Sequence, residues 1–335
     1  MYSEYYLTGA TGFLGSHVLD KLLKSGAKVN ALVLPNDKNL SLLPKGVTIT
    51  YGDVTNLKSL EDWTANITHP CCLIHCAGII YIESAPNKKL TDVNVGGTAN
   101  IIKLCRERGI DKLVYASSVH AIPELPNGKI MSEISEFSPE KVSGWYAKSK
   151  AKATALVLDA AKKGLNASVI HPSGIIGPGD IAMGSTTSML ISYCEGKLPV
   201  SVKGGYDFVD VRDVADGVIA CCEKGERGQC YILSGEYISV DNLLNTASKI
   251  TGRKRPLFTV PLKLASMVAK LVEKISLKMG KKPYFTPYAV MVLGTNAKFS
   301  HKKATEKLGY SPRRISETLR DTIEWIKRTY LPKTA

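Results

Sequence analysis

Short apolar runs alternate with longer amphipathic stretches over the first 120 residues of the chain. The runs have the length and residue content of buried strands, while the stretches repeat their apolar residues with a helical period. Strands are predicted at residues 5–8, 28–34, 47–51, 71–76 and 112–117, and helices at residues 13–24 and 90–108. This alternation predicts a parallel sheet that is covered by helices on both faces.

The same rhythm continues with a predicted helix at residues 145–163 and a predicted strand at residues 167–171. Beyond residue 173 the order is less regular, with strands predicted at 207–210 and 229–233 and helices at 211–223 and 240–250. We therefore predict an α/β domain over residues 1–173 and a smaller mixed α/β lobe over residues 174–335. Within the second part, residues 205–235 or so are expected to return to the first domain.

One more amphipathic helix is predicted near the end of the chain. It begins around Thr259-Val-Pro261 and ends near Gly280, because proline favours the first turn of a helix and glycine its end. One face consists of Leu264, Met267, Val268, Leu271 and Ile275, and the other of Lys263, Ser266, Lys270, Lys274 and Lys278.

The charge of the chain is concentrated in this C-terminal region. The formal net charge is +14, yet residues 1–252 hold 25 basic and 25 acidic side chains, and residues 253–335 hold 19 basic and 5 acidic ones. Nine of the basic residues lie between 253 and 282, against the single acid Glu273. Two interpretations stay open: a solvated helix face, or peripheral contact of residues 259–282 with an anionic membrane. Nucleic acid is not an expected partner, because no reader motif and few aromatic residues accompany the charge.

The remaining composition is that of a globular protein, with 44% apolar and 22% charged residues among 335. It argues against intrinsic disorder and fibrous structure. The eight cysteines sit mostly in apolar runs without the paired spacing of zinc sites, so we expect reduced thiols and no metal. The first eight residues lack a basic targeting segment, and no run is long enough to span a membrane. A cytoplasmic location is expected, with the membrane contact above as a peripheral addition.

A glycine-rich segment, Thr8-Gly-Ala-Thr-Gly-Phe-Leu-Gly15, follows the first predicted strand and opens the first predicted helix. Its glycines allow a tight turn and a close approach to a pyrophosphate, and the helix N-terminus offers free N–H groups to the phosphates. At this position in a βαβ unit the motif predicts dinucleotide binding. The fold class is accordingly predicted to be a doubly wound parallel sheet of the Rossmann type.

Two further groups could manage a proton. Tyr146 and Lys150 begin a helix one turn apart, and an ammonium near a phenol favours the phenolate and lowers the phenol pKa. Ser117 and Ser118 end the strand predicted at 112–117, at the sheet edge where open α/β folds bind ligands. A hydroxyl there could hydrogen-bond a substrate oxygen beside Tyr146.

The combination of glycine loop, serine pair and Tyr-x-x-x-Lys resembles the extended short-chain dehydrogenase/reductase family, within the NAD-dependent epimerase/dehydratase superfamily. Nearly the whole chain takes part in the resemblance. Further similar segments are Gly52-Asp-Val54, His75-Cys-Ala-Gly78, Asn94-Val-Gly-Gly-Thr98, Pro172-Ser-Gly-Ile-Ile-Gly-Pro178 and Asp210-Val-Arg-Asp-Val-Ala215. The segment at residues 298–310 is most similar to the branch of dihydroflavonol-4-reductases and 3β-hydroxysteroid dehydrogenases.

The resemblance implies an NAD(P)-dependent oxidoreductase. Tyr146 would be the general acid/base, Lys150 would lower its pKa and hold the nicotinamide ribose, and Ser118 would polarise the substrate oxygen. The implied cofactor-binding residues are Gly9, Thr11, Gly12, Phe13, Leu14, Gly15, Leu34, Asp53, Val54, Cys76, Ala77, Gly78, Asn94, Ser117, Tyr146, Lys150, Pro172, Ser173, Gly174 and Ile175. The family also implies a homodimer, formed through the helices at 90–108 and 145–163.

The choice between NAD and NADP stays open at the end of the second strand. An acidic residue there binds the ribose 2′-hydroxyl of NAD, and an arginine accommodates the 2′-phosphate of NADP. Leu34 stands where reductases of the family often carry arginine, Asp37 argues for NAD, and Lys38 argues for NADP. A reductase role would tip the expectation slightly toward NADP(H).

The substrate is predicted to be an apolar, cyclic secondary alcohol or ketone of steroid, terpenoid or flavonoid type. The segments at 176–180 and 204–208 carry no arginine, whereas nucleotide-sugar relatives use arginines there to grip a diphosphate. Substrate contacts are expected from Ile80, Tyr81, Val119 and His120, and His171 is a further candidate with a structural alternative. Two other functions remain: a nucleotide-sugar epimerase or 4,6-dehydratase with tightly bound NAD, and a non-catalytic dinucleotide-binding redox sensor.

Overall fold

The computed structural model describes residues 2–280 and 283–331. Its strands are β1 Glu4–Thr8, β2 Lys28–Val33, β3 Thr48–Tyr51, β4 Cys71–His75, β5 Lys112–Ala116, β6 Ala167–Pro172, β7 Gly174–Ile176, β8 Ser201–Val202, β9 Gly205–Asp210, β10 Cys230–Leu233, β11 Glu236–Ser239 and β12 Thr259–Val260. Its α-helices are α1 Phe13–Lys24, α2 Leu57–Trp63, α3 Lys88–Thr91, α4 Thr98–Glu107, α5 Trp145–Lys162, α6 Ser185–Cys194, α7 Val211–Lys224, α8 Val240–Thr251, α9 Leu262–Lys278, α10 Pro287–Val292, α11 Lys302–Leu308 and α12 Ile315–Thr329.

Seven of the described strands form one parallel sheet in the order β10-β6-β5-β4-β1-β2-β3. In the centre, Thr8 at the end of β1 pairs with Leu32 of β2 on one side and with His75 of β4 on the other. Strand order reverses next to β1, so the carboxyl ends of β1 and β4 border the crevice where doubly wound folds bind ligands. The predicted fold class is confirmed.

The two faces of the sheet are buried under different helices because successive strand residues point to opposite sides. Tyr5 and Leu7 belong to a cluster that includes residues of α1 and α7. Tyr6 and Tyr115 belong to the opposite cluster, with residues of α4 and α5. The continuous apolar runs of the sequence are therefore explained by burial on both sides.

The helix predicted at residues 90–108 is found as one continuous helical segment over residues 88–107. It contains a π-helical turn at Asp92–Gly97, between α3 and α4. At this turn a Cβ on Gly97 would lie 2.7 Å from Val54, and the side chain of Asn94 is bound to the loop after β4. Apolar periodicity does not reveal such local contacts, and π turns are frequent at functional sites.

The C-terminal part adds small sheets and helices at the carboxyl end of the main sheet. β7, β9 and β11 form a three-stranded sheet, β8 and β12 form a pair, and β10 returns to the main sheet beside β6. Helix α9 packs on α10, with Ala265 and Ala269 clustered around Val290.

Helix α9 is amphipathic as predicted, but its apolar face is not the one that packs on the protein. The buried residues are Ala265, Ala269 and Glu273, whereas the face from Leu264 to Ile275 is exposed. Within the described residues, none of the helices has the length and apolarity needed to cross a bilayer. Lys281 and Lys282, the end of the predicted basic segment, lie outside the described residues.

Candidate active site

The glycine loop connects β1 to α1 through a backbone that side chains would obstruct. Gly9 has a φ of +76°, and a Cβ there would lie 2.8 Å from the backbone nitrogen of Ala77. A Cβ on Gly15 would overlap the carbonyl oxygen of Gly9. The other predicted residues of the loop and the first helical turn are Thr11, Gly12, Phe13 and Leu14. The N-terminus of α1 thus opens at the sheet edge with its first N–H groups free of side-chain caps.

The end of β2 is connected to this loop through Asp37. Thr11 Oγ1 donates a hydrogen bond of 2.6 Å to Asp37 Oδ2, and the other carboxylate oxygen accepts from the Asn39 N–H at 2.9 Å. Leu34 is 49% exposed and offers no charge. A carboxylate is therefore fixed beside the glycine loop.

The ends of β3 and β4 complete the edge. Asp53 Oδ1 accepts hydrogen bonds from the N–H and hydroxyl of Thr55, both at 2.8 Å, while Val54 is buried. After β4, the Ala77 N–H donates to Thr8 Oγ1 at 3.2 Å. The neighbouring predicted residues are Cys76, which is partly buried, and Gly78, which is exposed.

A buried histidine stiffens the region under the β4 loop. His75 Nδ1 lies 2.7 Å from Thr8 Oγ1, and its Nε2 lies 3.1 Å from Thr98 Oγ1. Burial lowers the pKa of His75 to about 3, so the ring is neutral at physiological pH. The three side chains form an uncharged link between β1, β4 and α4.

Asn94, a predicted cofactor residue, uses its amide within the protein. Its Oδ1 accepts from the Ile79 N–H at 2.7 Å, and its Nδ2 donates to the Ile79 carbonyl and to Ser149 Oγ, both at 3.0 Å. Asn94 thus links the loop after β4 to helix α5. Gly78 lies beside both Asn94 and Lys150, so this link also positions the Gly78 backbone next to Lys150.

The structure brings together the three predicted catalytic residues. Ser118 follows β5, and Tyr146 and Lys150 lie on the first turns of α5; all three are at most 8% exposed. Ser118 Oγ accepts a hydrogen bond from the His120 N–H at 3.2 Å, and the Ser118 hydroxyl acts to lower the pKa of Tyr146. Its neighbour Ser117 instead bonds to Thr154 Oγ1 at 2.6 Å and so fixes β5 against α5.

Lys150 does not act on Tyr146 in the way that the sequence suggests. Its Nζ donates to the Ala116 carbonyl at 2.7 Å and lies 3.5 Å from the hydroxyl of Tyr115. Burial lowers the pKa of Lys150 to about 8. Burial also raises the pKa of Tyr146 to about 12, against a smaller lowering by its hydrogen bond with Ser118. Desolvation is the largest cause of both shifts because both groups are buried.

The segment after β6 lies on the far side of this site. The Ser173 N–H donates to the Leu233 carbonyl at 3.2 Å, and a Cβ on Gly174 would lie 2.9 Å from the Asp207 carbonyl. The segment therefore runs between β9 and β10 with little room for side chains. The remaining predicted residues are Pro172, at the end of β6, and Ile175, in β7.

A cavity of about 90 Å³ borders the catalytic helix. Its walls come mainly from the loop after β5, from residues 141–147 and from the region of α10. The apolar and aromatic lining consists of Val119, Ile122, Met131, Val142, Ala147, Tyr206, Tyr288, Met291, Val292 and Phe299. The polar and charged lining consists of His120, Glu124, Lys141, Ser143, Thr295 and Asn296. Among these described residues none is an arginine, so the cavity lacks the group best suited to a diphosphate.

Aromatic rings lie around Tyr146. The His120 ring is stacked on Tyr206, with centroids 5.7 Å apart, and lies 6.0 Å from Tyr146 and 6.1 Å from Tyr288. Its Nε2 lies 3.2 Å from the Tyr206 hydroxyl. Burial lowers the pKa of His120 to about 4, so this ring is neutral at physiological pH.

The four predicted substrate residues have different surroundings. Val119 and His120 line the cavity, and Tyr81 packs with Leu90 and Tyr146. Ile80 is 65% exposed and is not among the lining residues that the structure describes.

His171, the additional candidate, is fully buried away from this lining. Its Nδ1 lies 2.9 Å from the Ser118 carbonyl, and its ring is stacked on Phe137 at 5.2 Å. His171 therefore contacts the backbone of the Ser118 loop and is not among the described lining residues of the cavity, in agreement with its structural alternative.

Tyr206 and Tyr288 were missed by the sequence reasoning. Tyr206 lies in the segment at 204–208, of which the prediction uses only the lack of arginine. Tyr288 left an indirect signal in Gly144, immediately before α5: this glycine has a φ of +89°, and a Cβ on it would overlap the Tyr288 ring. The nearby Asp180 also has a structural task, since its Oδ2 accepts from Gly184 N–H and from Thr187 Oγ1 at the start of α6.

The residues present fit a nicotinamide dinucleotide. The glycine loop is free of side chains where a pyrophosphate must approach, and a 12-residue helix opens onto it. Gly78 is open toward Lys150, whose Nζ would lie only 3.4 Å from a Cβ at that position. A cofactor that extends from the loop to Tyr146 would thus meet backbone, one ammonium group and few obstructing side chains.

Comparison with known proteins agrees with this geometry. Residues 5–234 match the NAD dependent epimerase/dehydratase family. A Synechocystis sp. protein named "Putative dihydroflavonol 4-reductase" is 32% identical, over 98% of this chain and 96% of that protein. An Arabidopsis thaliana protein named 3beta-hydroxysteroid-dehydrogenase/decarboxylase isoform 1 is 28% identical, over 98% of this chain and 81% of that protein. The crystal structure of gox2253 superposes with a TM-score of 0.83 at 31% identity, over 99% of this chain and 100% of that one.

The family match covers well over half of the chain, and two of these relatives exceed 30% identity over nearly its whole length. The expected resemblance and the expected nicotinamide cofactor are confirmed. The chain belongs to the NAD-dependent epimerase/dehydratase family of extended short-chain dehydrogenases/reductases, and it is an oxidoreductase of that family.

Proposed function

We propose that this protein interconverts a secondary alcohol and a ketone on an apolar, ring-containing substrate. The observation that carries the proposal is the position of Ser118, Tyr146 and Lys150 beside a cavity whose described lining is largely aromatic and aliphatic and lacks arginine. Pockets of this kind bind apolar ligands and use a few polar groups for orientation. The names of the Synechocystis and Arabidopsis relatives, a dihydroflavonol reductase and a hydroxysteroid dehydrogenase, support a ring alcohol or ketone.

The chain's own residues orient the substrate oxygen and move its proton. When bound, a nicotinamide dinucleotide supplies or accepts the hydride. Ser118 Oγ donates a hydrogen bond to the carbonyl oxygen, and the Tyr146 phenol donates its proton to that oxygen as negative charge develops there. Since burial raises the pKa of Tyr146 to about 12, the phenol is protonated at neutral pH and is in the correct state for ketone reduction.

Lys150 supports the same step through its charge. Its pKa, lowered to about 8 by burial, leaves it mostly protonated at neutral pH. An ammonium one helical turn along α5 from Tyr146 would stabilise the phenolate that proton donation leaves behind. Because the pKa of Lys150 is close to neutral pH, this group can also take up or release a proton when the direction of the reaction changes.

The position of Asp37 favours NAD over NADP. Its carboxylate is bonded to Thr11 of the glycine loop, where a 2′-phosphate would meet a like charge. The Asp37 carboxylate therefore opposes the slight preference for NADP(H) that a reductase role suggests.

The test is an absorbance assay of NADH and NADPH oxidation over 3-ketosteroids, flavanonols, small ketones and UDP-glucose. We expect turnover of ring ketones, faster with NADH than with NADPH. Tyr146→Phe should lower kcat by about 10² to 10⁴-fold while NADH binding, followed by fluorescence, persists. The matched control is Tyr237→Phe, at a side chain that is 47% exposed, and it should leave kcat unchanged.

Two results would contradict the proposal. Unchanged turnover in Tyr146→Phe would exclude the proton-transfer role of that residue. Conversion of UDP-glucose without added coenzyme, in the absence of ketone reduction, would favour the epimerase alternative.

A further inference from the structure

Helix α9 exposes the face that an amphipathic helix normally buries. It packs on α10 through small residues, Ala265 and Ala269, and Glu273 accepts hydrogen bonds from the N–H and hydroxyl of Ser84 at 2.7 and 2.9 Å. The large apolar residues are turned away, with exposed fractions of 47% for Leu264, 62% for Met267, 47% for Val268, 60% for Leu271 and 48% for Ile275. Their spacing places all five on one continuous stripe of the helix.

Cations border this stripe, and the acid on the helix is not exposed beside them. Glu273 is only 7% exposed and is bonded to Ser84. The exposed basic residues of the helix are Lys263, Lys270, Lys274 and Lys278. Just before the helix, the basic run 253–255 is exposed, followed by Leu257 at 88% and Phe258 at 70% exposure.

We infer that residues 253–278 form an interfacial element that binds the surface of an anionic lipid bilayer. A helix with a continuous apolar stripe and flanking lysines lies in the headgroup region, with the stripe in the acyl boundary and the cations at the lipid phosphates. A second copy of the chain is the less suitable occupant, because a symmetric contact would bring two sets of lysines together. The charge complementarity therefore selects a negatively charged lipid surface.

The position of α9 connects this surface to the active site by two short routes. Helix α10, on which α9 packs, contributes Tyr288 and Met291 to the cavity lining. Glu273 accepts hydrogen bonds from Ser84, which lies in the same loop as Tyr81, and Tyr81 packs with Tyr146. In a protein docked through α9, only this helix would separate the cavity wall formed by α10 from the bilayer, in which an apolar substrate is dissolved. This last step, substrate delivery, rests on the proposed function; the lipid contact does not.

The test is flotation of the intact protein, without substrate, with vesicles of phosphatidylcholine alone or mixed 7:3 with phosphatidylserine. We expect binding to the anionic vesicles that weakens as salt is raised, and little binding to phosphatidylcholine alone. Lys270→Gln and Lys274→Gln should each weaken binding about fivefold. Leu271→Gln combined with Ile275→Gln should weaken it tenfold or more, on the order expected for two buried aliphatic side chains.

The matched control is Leu42→Gln, which removes a side chain that is 58% exposed in the neutral part of the chain. It should leave flotation unchanged, and circular dichroism should show all variants folded. Absence of wild-type binding to the 7:3 vesicles at low salt would overturn the inference. So would light scattering that shows a dimer broken by the Leu271 and Ile275 substitutions, because the stripe would then be covered by a second copy. Since flotation needs no turnover, its failure is distinct from failure of the ketone assay.

Discussion

The carboxyl edge of the main sheet buries polar side chains, whereas helix α9 exposes large apolar ones. At the sheet edge, Lys150 and His75 are at most 5% exposed, and hydrogen bonds with neighbouring groups offset the cost of taking them out of water. On α9, the apolar side chains of Met267 and Leu271 are about 60% exposed. Both regions depart from the usual distribution of residues, and such departures identify where a molecule contacts its ligands.

The two regions also differ in charge. Residues 1–252 are balanced in charge, and Lys150 is buried at the sheet edge. Residues 253–335 carry the whole excess, and α9 contributes four exposed lysines to it. A lysine in the first region should therefore matter to chemistry, and a lysine in the second only to surface contacts.

The largest effect is expected from comparing Lys150→Ala with Lys270→Ala. Loss of the buried ammonium should lower kcat/KM by about 10² to 10⁴-fold, because the phenolate of Tyr146 loses its nearby cation. Lys270→Ala, on the exposed helix, should leave kcat/KM for a water-soluble ketone within twofold or so of the wild type. Steady-state kinetics of both variants measure this. Equal losses in the two variants would remove the distinction between the two lysines.

The next prediction concerns Gly144, at the contact between the start of α5 and helix α10. A Cβ at Gly144 would overlap the Tyr288 ring of α10, and its φ of +89° already disfavours alanine. Gly128 has a similar φ of +90°, but a Cβ there meets nothing within 4 Å. We expect Gly144→Ala to lower the free energy of unfolding by about 2–5 kcal/mol and Gly128→Ala by about 1 kcal/mol, measured by urea titration.

The two glycines have a similar positive φ, and only Gly144 faces Tyr288, so the difference between the variants reports mainly the contact with Tyr288. Adding Tyr288→Ala should recover part of the loss in Gly144→Ala and none in Gly128→Ala. Identical losses for the two glycines would mean that α10 moves freely away from α5.

The last prediction is a pH dependence that belongs to the sheet region. Burial lowers the pKa of His75 to about 3 and those of His120 and His171 to about 4, while an unfolded chain binds these protons near pH 6.5. The unfolded state therefore holds more protons, and the free energy of unfolding should fall as pH decreases from about 6.5 toward 4. Each histidine contributes a slope of about 1.4 kcal/mol per pH unit.

His171→Gln should remove one of these three contributions without touching the cavity lining. Urea titrations between pH 6.5 and 4.5 compare its slope with that of the wild type. Equal slopes would show that His171 becomes protonated in the folded protein as easily as in the unfolded one.

The sequence by itself determined the parallel sheet and the glycine loop, and it placed Tyr146 and Lys150 on one helix. The reason is that each depends on local pattern: Phe13–Lys24 was predicted to the residue, and Tyr146 and Lys150 share a helix face because they are four residues apart. The same locality explains why the π-helical turn within residues 90–108 was not predicted, because Asn94 and Gly97 contact Ile79 and Val54 from distant parts of the chain.

Only the tertiary structure decided which groups surround the reacting tyrosine and which face of α9 stays in contact with solvent. Tyr206 and Tyr288 come to Tyr146 from 60 or more residues away, and no short spacing predicts that approach. The pKa of Tyr146 is likewise set by burial, which depends on all of these neighbours at once. On α9 the pattern established two faces, but the packing of Ala265 and Ala269 on α10 determined that the apolar one is exposed.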